Sequence, residues 1–193
     1  MLKRALLAGI FLAALALFPV TATAQWTIHA IAGTLKVDNV QSGTIILDTD
    51  DGSSEEFQIP QLSKIKMNFD KDVRADTTTP DKFTGTNSHV ILFFYGDEVV
   101  RSAVAIENVG AGPFEKLTGW VMGYDKHSRT LTLKTDSGEK TFAITDKTIV
   151  DGADGVVPGR KFNAERGDHV RLLAQPNGKD TQILLVRFDG NAT

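Results

Sequence analysis

A pattern of twenty residues occurs twice in this chain and constrains its fold more than any other feature. Gly33 to Gly52 reads GTLKVDNVQSGTIILDTDDG and Gly119 to Gly138 reads GWVMGYDKHSRTLTLKTDSG, with seven aligned positions identical at an offset of 86 residues. The similarity continues where His89-Val-Ile-Leu corresponds to His169-Val-Arg-Leu, at an offset of 80. Self-similarity at a regular spacing indicates duplication. We therefore expect two tandem units, over residues 27–112 and 114–190.

Alternation of apolar and polar residues predicts the strands of each unit. In the second unit it runs through residues 117–125, 129–136 and 139–144, and two further strands are expected at 169–175 and 181–188. Alternation of this kind is typical of antiparallel sheets with one buried face. We interpret the Gly-rich stretch before residue 169 as irregular, with short helical turns within residues 151–165 and, in the first unit, within 70–83.

Three strands, a connection and two strands make up the strand count of an OB-like barrel. Closing the sheet into a barrel also removes the unpaired strand edges that promote aggregation. The predicted fold class is therefore all-β, with two tandem, small, OB-like five-stranded barrels.

Turn glycines and core positions follow one another in a fixed order in the second unit. They are Gly119, Val121, Asp125, Thr130 to Leu133, Thr135, Gly138, Thr141-Phe142, Ile144, Thr148, Gly167-Asp168 and Val170. In this order they resemble a family of small bacterial secreted domains of unknown function that have an OB-like barrel. The first unit departs from the pattern, with Asn87-Ser88 in place of Gly167-Asp168 and an inserted acidic, Thr-rich loop. The resemblance implies the fold and supplies no catalytic residue.

The first 24 residues have the three parts of a secretory signal peptide. Lys3-Arg4 precedes an uncharged, apolar run from Ala5 to Phe18, and the small residues Ala22-Thr23-Ala24 follow. The apolar run is shorter than the roughly 20 residues that span a bilayer, so we expect cleavage near Ala24 and no membrane span. The expected location is the periplasm or the extracellular space.

Composition narrows the possible partners and cofactors. The chain has no cysteine, which excludes disulfides and thiolate metal sites. Without Lys3 and Arg4, 19 basic residues face 24 acidic ones, giving a net charge near −5. Because non-specific nucleic-acid binding depends on positive charge, we expect no nucleic-acid partner. We also predict no cofactor and no metal site.

Comparison of the two units identifies candidate binding residues. The outward positions Thr34, Lys36 and Asp38 of the first unit correspond to three apolar residues of the second, namely Trp120, Met122 and Tyr124. We expect these three to form one apolar stripe on the outer face of the sheet. Exposed apolar patches mark interaction sites, and Trp and Tyr are enriched at interfaces. The alternative is that the stripe packs against the other unit.

A second candidate interface lies on the strand from His89 to Tyr95. Leu92 and Phe94 are expected on one face, and Phe93 and Tyr95 on the other, so that both faces are apolar. We therefore expect the strand to be covered on both sides, by the other unit or by residues 26–28.

No motif in the sequence indicates a reaction. There is no G-x-S-x-G elbow and no Gly-rich phosphate loop that opens a helix. The acidic run from Asp48 to Asp51 fails the calcium-loop spacing, since glycine is fifth and Ile59 is twelfth. The histidines His29, His89, His127 and His169 show no metal-ligand spacing and are interpreted as structural.

The resulting hypothesis is a secreted or periplasmic, non-enzymatic binding or assembly protein, with an envelope protein or a glycan as partner and with self-association as a further expectation. The alternative is a saccharide or small-ligand carrier. Weaker alternatives are a hydrolase with fold-assembled carboxylates from Asp48, Asp50 or Glu55, and a metal carrier. For the latter, Trp120 and Met122 suggest Cu(I), which thioethers suit, but the mature chain has only Met67 and Met122.

Overall fold

The computed structural model describes residues 25–39, 42–61, 65–97, 99–178 and 180–189. The expected signal peptide and its cleavage site near Ala24 lie outside these residues. Within them the fold is all-β and contains two five-stranded, OB-like barrels, which confirms the predicted fold class.

The first barrel is formed by the first unit of the repeat. Its chain order is β1 (Trp26–Thr27), β2 (His29–Asn39), β3 (Thr44–Thr49), β4 (Ser54–Gln58), β5 (Met67–Asn68), β6 (His89–Gly96) and β7 (Arg101–Gly110). The closed ring has the order β2-β3-β4-β7-β6, and the parallel contact between Gln58 and Ser102 joins β4 to β7. Outside the ring, β1 and β5 form a short parallel pair.

The second unit repeats this arrangement. Its chain order is β8 (Glu115–Asp125), β9 (Thr130–Thr135), β10 (Gly138–Ala143), β11 (Ile149–Gly152), β12 (Gly155–Pro158), β13 (His169–Asn177) and β14 (Asp180–Phe188). The sheet order β10-β9-β8-β13-β14 closes on itself through a parallel contact between Ala143 and Gln182. The duplicated sequence therefore produces the same strand order twice.

The expectation that the Gly-rich stretch before residue 169 is irregular was wrong for its first part. Together with the residues just before it, this stretch forms β11 and β12, an antiparallel hairpin. The hairpin extends the second sheet because β11 pairs in parallel with β14. The hairpin forms because Ile149, Val150 and Val156 are buried, while Gly155 adopts a φ of 94° at the tight turn. The expected short helical turns are present: α1 at Lys71–Arg74 and 3-10 turns at Pro80–Lys82 and Gly159–Lys161.

The first strand of each barrel carries a β-bulge at the same repeat position. In β2 the register shifts between Leu35 and Val37, and in β8 it shifts between Val121 and Gly123. A bulge inserts one residue into one strand, so the strand bends and the side chains beyond it change faces. Both barrels thus begin with a strand that bends at the same repeat position.

Three apolar clusters hold the molecule together. One fills the first barrel around Leu35, Leu47 and Phe57, and another fills the second barrel around Leu131, Leu133 and Phe142. The third, which we call the inter-barrel core, takes residues from both units. Its buried members are Ile28, Ala30, Ala32, Val73, Ile91, Phe93, Val104, Ala105, Ile149, Val156, Leu173 and Leu185.

The inter-barrel core explains the two apolar faces of β6. Leu92 and Phe94 lie in the core of the first barrel, whereas Phe93 lies in the inter-barrel core. Tyr95 packs against that core and contacts the Trp26 ring, at a centroid distance of 5.0 Å. The expectation that this strand is covered on both sides is therefore confirmed, and both expected covers contribute.

Polar contacts also connect the two units next to the inter-barrel core. The Val156 amide donates a hydrogen bond to the Ile28 carbonyl at 2.9 Å. In a second contact between the units, Lys161 Nζ lies 2.7 Å from Asp70 Oδ2, beside α1. In the part of the chain that the structure describes, no helix has the length and apolar character needed to span a membrane.

Gly119, which recurs as Gly33 in the first unit, should not accept a larger residue without a loss of stability. A Cβ at Gly119 would lie 2.7 Å from the Lys134 carbonyl oxygen, whereas a Cβ at Gly123, on the same strand, meets nothing within 4 Å. We expect Gly119→Ala to cost about 1–3 kcal/mol of unfolding free energy through overpacking, and Gly123→Ala to cost less than about 0.5 kcal/mol. Urea titrations measure both, and equal costs would contradict the argument.

Glu107 should make the stability depend on pH. Burial, reinforced by the nearby Asp76 carboxylate, raises the pKa of Glu107 from 4.5 to about 7, and Lys147 opposes the shift. The folded state therefore holds this proton more tightly than the unfolded state. The resulting stabilisation is complete below pH 4.5 and is lost as the pH rises to about 7.

We expect the free energy of unfolding to fall by about 2 kcal/mol over this pH range. This is less than the full pKa shift implies, because partial solvent exposure of Glu107 weakens the electrostatic effect. Glu107→Gln should flatten the dependence of the unfolding free energy on pH between 4.5 and 8. The exposed Glu139→Gln serves as the control and should leave it unchanged. Superimposable profiles for the wild type and Glu107→Gln would show that Glu107 does not carry this proton.

Candidate ligand-binding groove

The outer face of the second barrel changes in character along strands β8 and β13. The register pairs Leu173 with Lys116, Arg171 with Thr118 and His169 with Trp120. Side chains that are opposite one another in a register lie on the same face of a sheet. This face therefore runs from Leu173 in the inter-barrel core, through charged residues, to the exposed Trp120.

The charged middle of this face forms the floor of a groove between the two barrels. The groove consists of two adjacent depressions of about 390 and 480 Å³, which share His169 and Asp189. Volumes of this size are typical of small-molecule sites, at about 300–1,000 Å³. Charged lining residues come from both units: Asp50 and Asp51 from the first barrel, and Asp151, Arg171 and Arg187 from the second.

Arg171 ties the two barrels together at the groove floor. Its Nε lies 2.8 Å from Asp189 Oδ1, and its Nη1 lies 3.0 Å from Asp51 Oδ2. The other Asp189 oxygen lies 2.7 Å from His169 Nδ1. One guanidinium thus connects a carboxylate of each barrel, and Asp189 fixes the imidazole ring of His169.

The two carboxylates from the first barrel are held in their ionised form. A hydrogen bond donated by the Thr49 hydroxyl is the main reason why the pKa of Asp51 falls to about 2, with Ser53 and Arg171 contributing. Burial alone would raise the pKa of Asp50, but hydrogen bonds from His89 and Lys116 lower it overall. The distances to Asp50 are 3.2 Å from His89 Nε2 and 2.7 Å from Lys116 Nζ.

Asp151 forms the other wall of the groove. It is only 3% exposed and lies 2.9 Å from His29 Nδ1 and 3.6 Å from Arg187 Nε. It also accepts a hydrogen bond from the Ala30 amide at 3.2 Å. A buried carboxylate requires such partners, and here β2 of the first barrel supplies two of them.

Carboxylates outnumber cations along the described part of the groove lining. The five carboxylates are Asp50, Asp51, Asp151, Asp168 and Asp189; the three permanent cations are Lys116, Arg171 and Arg187. Each cation is within ion-pair distance of a carboxylate. Among the described residues, no group of three or more His, Asp or Glu side chains is arranged to hold a metal ion.

The predicted apolar stripe does not share one face, and this expectation was wrong. Trp120 is 54% exposed and packs against the His169 ring at 4.4 Å, so it points outward. Beyond the bulge at Met122, Tyr124 is paired with the buried Leu131, and its ring contacts Phe162 edge-on at 4.7 Å. Tyr124 therefore points toward the barrel core because the bulge changes the parity of β8. Met122, at the bulge itself, is half-buried.

The alternative, that the stripe packs against the other unit, is also not what the structure has. The described members of the inter-barrel core and its partly buried neighbours do not include Trp120, Met122 or Tyr124. The second pair of candidates, Phe93 and Tyr95, lies at that core instead.

The three carboxylates considered for hydrolysis are not brought together. Asp48 pairs with Lys36 at 3.3 Å, and Glu55 pairs with Arg101. Asp50 alone among them reaches the groove. Sequence reasoning missed Arg171 and Asp189, which build the groove floor. The sequence signal that could have located them is the position of His169. A histidine begins the corresponding strand in both units, but it faces a tryptophan only in the second.

Comparison with known proteins adds little to this geometry. No family model matches the chain, and no curated protein matches it. Among solved structures, the chain is similar to the crystal structure of Ag(I)CusF, with a TM-score of 0.32 and 19% identity. The match covers 40% of this chain and 99% of that one.

Asp151 should be the most sensitive residue of the groove for stability. Asp151→Ala would leave His29, the Ala30 amide and Arg187 without their shared partner. Because the His29 and Arg187 side chains are 32% and 30% exposed and water can reach them, we expect a cost of about 1–3 kcal/mol. Asp151→Asn retains an acceptor oxygen and should cost less. The exposed Asp154→Ala is the control, expected to change the unfolding free energy by less than about 0.5 kcal/mol. If Asp151→Ala and Asp154→Ala change the unfolding free energy equally, Asp151 does not have this stabilising role.

Proposed function

We propose that the protein is a secreted or periplasmic, non-enzymatic binding protein, which holds a small polar ligand in the groove between its two barrels. The location in the periplasm or outside the cell rests on the pattern of residues 1–24. The observation that carries the proposal is that one groove is lined by charged side chains from both units and that these side chains hold one another in place.

Preorganisation is the physical reason why such a groove favours binding. A site whose side chains are already fixed loses less conformational entropy when a ligand binds. Here Arg171 is held by Asp51 and Asp189, and Asp189 also holds His169. The ionised state of Asp51, whose pKa is about 2, persists across the physiological pH range. The polar groups of the groove are therefore held in place before a ligand binds.

The carboxylates contributed by the first barrel are poorly suited to acid–base catalysis. A general acid–base mechanism needs a group whose pKa lies near the working pH and that reaches the reacting atoms. Asp51 and Asp50 both have a lowered pKa. Glu107 has a pKa of about 7, but it lines a different and much smaller cavity of about 50 Å³.

The test is calorimetric titration of the protein with four classes of solute: neutral saccharides, sugar phosphates, amino acids and dipeptides. We expect at least one class to bind saturably. Thr118→Phe, which places an aromatic ring on the groove floor, should abolish that binding. Thr141→Phe makes the same change at an exposed strand position outside the groove and should leave binding intact.

Three outcomes would overturn the proposal. The first is that no solute class binds. The second is that Thr118→Phe and Thr141→Phe bind equally well, which would place the site elsewhere. The third is that mass spectrometry finds the bound solute chemically altered after incubation, which would make the protein an enzyme.

A further inference from the structure

We infer that the ligand of the groove is a neutral oligosaccharide and that Trp120 is the platform for one of its rings. The inference rests on the proposed binding function and specifies the class of ligand. It is carried by the placement of Trp120, by the mixture of donors and acceptors beside it, and by the charge of the groove.

Trp120 is exposed and yet held in place. Its side chain is 54% exposed, on the same face of the sheet as the groove floor and two residues from Thr118. The ring makes a tilted contact with the His169 ring at a centroid distance of 4.4 Å, and His169 is in turn fixed by Asp189 at 2.7 Å. A large flat apolar surface that is rigid before binding is suited to cover the apolar face of a ligand ring at low entropic cost.

The groove next to Trp120 presents donors and acceptors side by side. The guanidinium of Arg171 has five N–H donors, and each carboxylate has about four lone-pair sites. Arg171 lies against Asp189 and Asp51, so donors and acceptors alternate over a few ångströms. A sugar hydroxyl both donates and accepts. Neighbouring hydroxyls on one ring therefore match such a pair without disrupting it.

The net charge of the groove disfavours anionic ligands, and its existing ion pairs disfavour cationic ones. Five carboxylates face three cations, so an anionic ligand such as a phosphate meets net repulsion. A cationic ligand is attracted by the same net charge, but it would have to compete with Lys116, Arg171 and Arg187 for four of the five carboxylates, with which they already pair. A neutral ligand avoids both costs. The two depressions, of about 390 and 480 Å³, meet at His169 and Asp189 and accommodate more than one ring.

The experiment uses a Trp26→Phe variant, in which Trp120 is the only tryptophan. Fluorescence titrations compare the neutral probes maltotriose, cellotriose and tri-N-acetylchitotriose with trigalacturonate, chitosan trimer and leucine. We expect saturable binding of at least one neutral trisaccharide, with each charged or zwitterionic probe at least about tenfold weaker. The affinity should change less than about twofold between roughly 0.05 and 0.5 M NaCl, because no ion pair with the ligand is screened.

Two substitutions, followed by calorimetry, test the role of Trp120. Trp120→Ala should weaken the neutral trisaccharide at least about tenfold, whereas Trp120→Phe, which retains a ring, should weaken it less than about threefold. If trigalacturonate, chitosan trimer or leucine binds in the groove and the neutral probes do not, this inference is wrong while the proposed function stands. If Trp120→Ala binds the neutral trisaccharide as tightly as the wild type does, Trp120 is not the platform for a sugar ring. If none of these probes binds, this inference is wrong, and the proposed function fails as well only if sugar phosphates and dipeptides also do not bind.

Discussion

The apolar contact between the two barrels is the constraint on which the rest of the structure depends. Phe93 and Ile28 of the first barrel and Leu173 and Leu185 of the second are almost completely buried in one cluster. Burying a large apolar side chain contributes about 1.5–3 kcal/mol, so this cluster fixes the position of one barrel against the other. Ion pairs at its rim, such as Arg171 with Asp51, then join groups that are already close. Alone and fully exposed, such pairs would contribute about 0–1 kcal/mol.

The fold was predictable because its information is local and repeated. Alternation along β8, β9 and β10 identified three strands, and the repeat transferred them to the first unit. The groove was not predictable, because its contacts join residues far apart in sequence: His29 with Asp151, and Arg171 with Asp51. No periodicity encodes such a pair. The bulge at Met122 was missed for a different reason, since one inserted residue leaves the pattern apolar while it moves Tyr124 to the other face.

Duplication has given equivalent positions different tasks. His89 and His169 both begin a strand and both contact an aspartate. His89 is 10% exposed and stacks on the Phe114 ring at 4.5 Å, so it belongs to the junction between the units. His169 faces Trp120, where the first unit has Thr34, and lies at the open groove. The same repeat position is therefore internal in one unit and accessible in the other.

The way in which each barrel closes has a consequence for its motions. Both rings are joined by a short parallel contact, Gln58 with Ser102 in one and Ala143 with Gln182 in the other. In the second barrel β11 runs alongside β14 from Ile149 to Asp151 and reinforces the strand that closes the ring. Local unfolding occurs most readily in the regions with the fewest stabilising contacts. Two barrels of common origin should therefore exchange their amide hydrogens at different rates, with the first opening along its closure more often than the second.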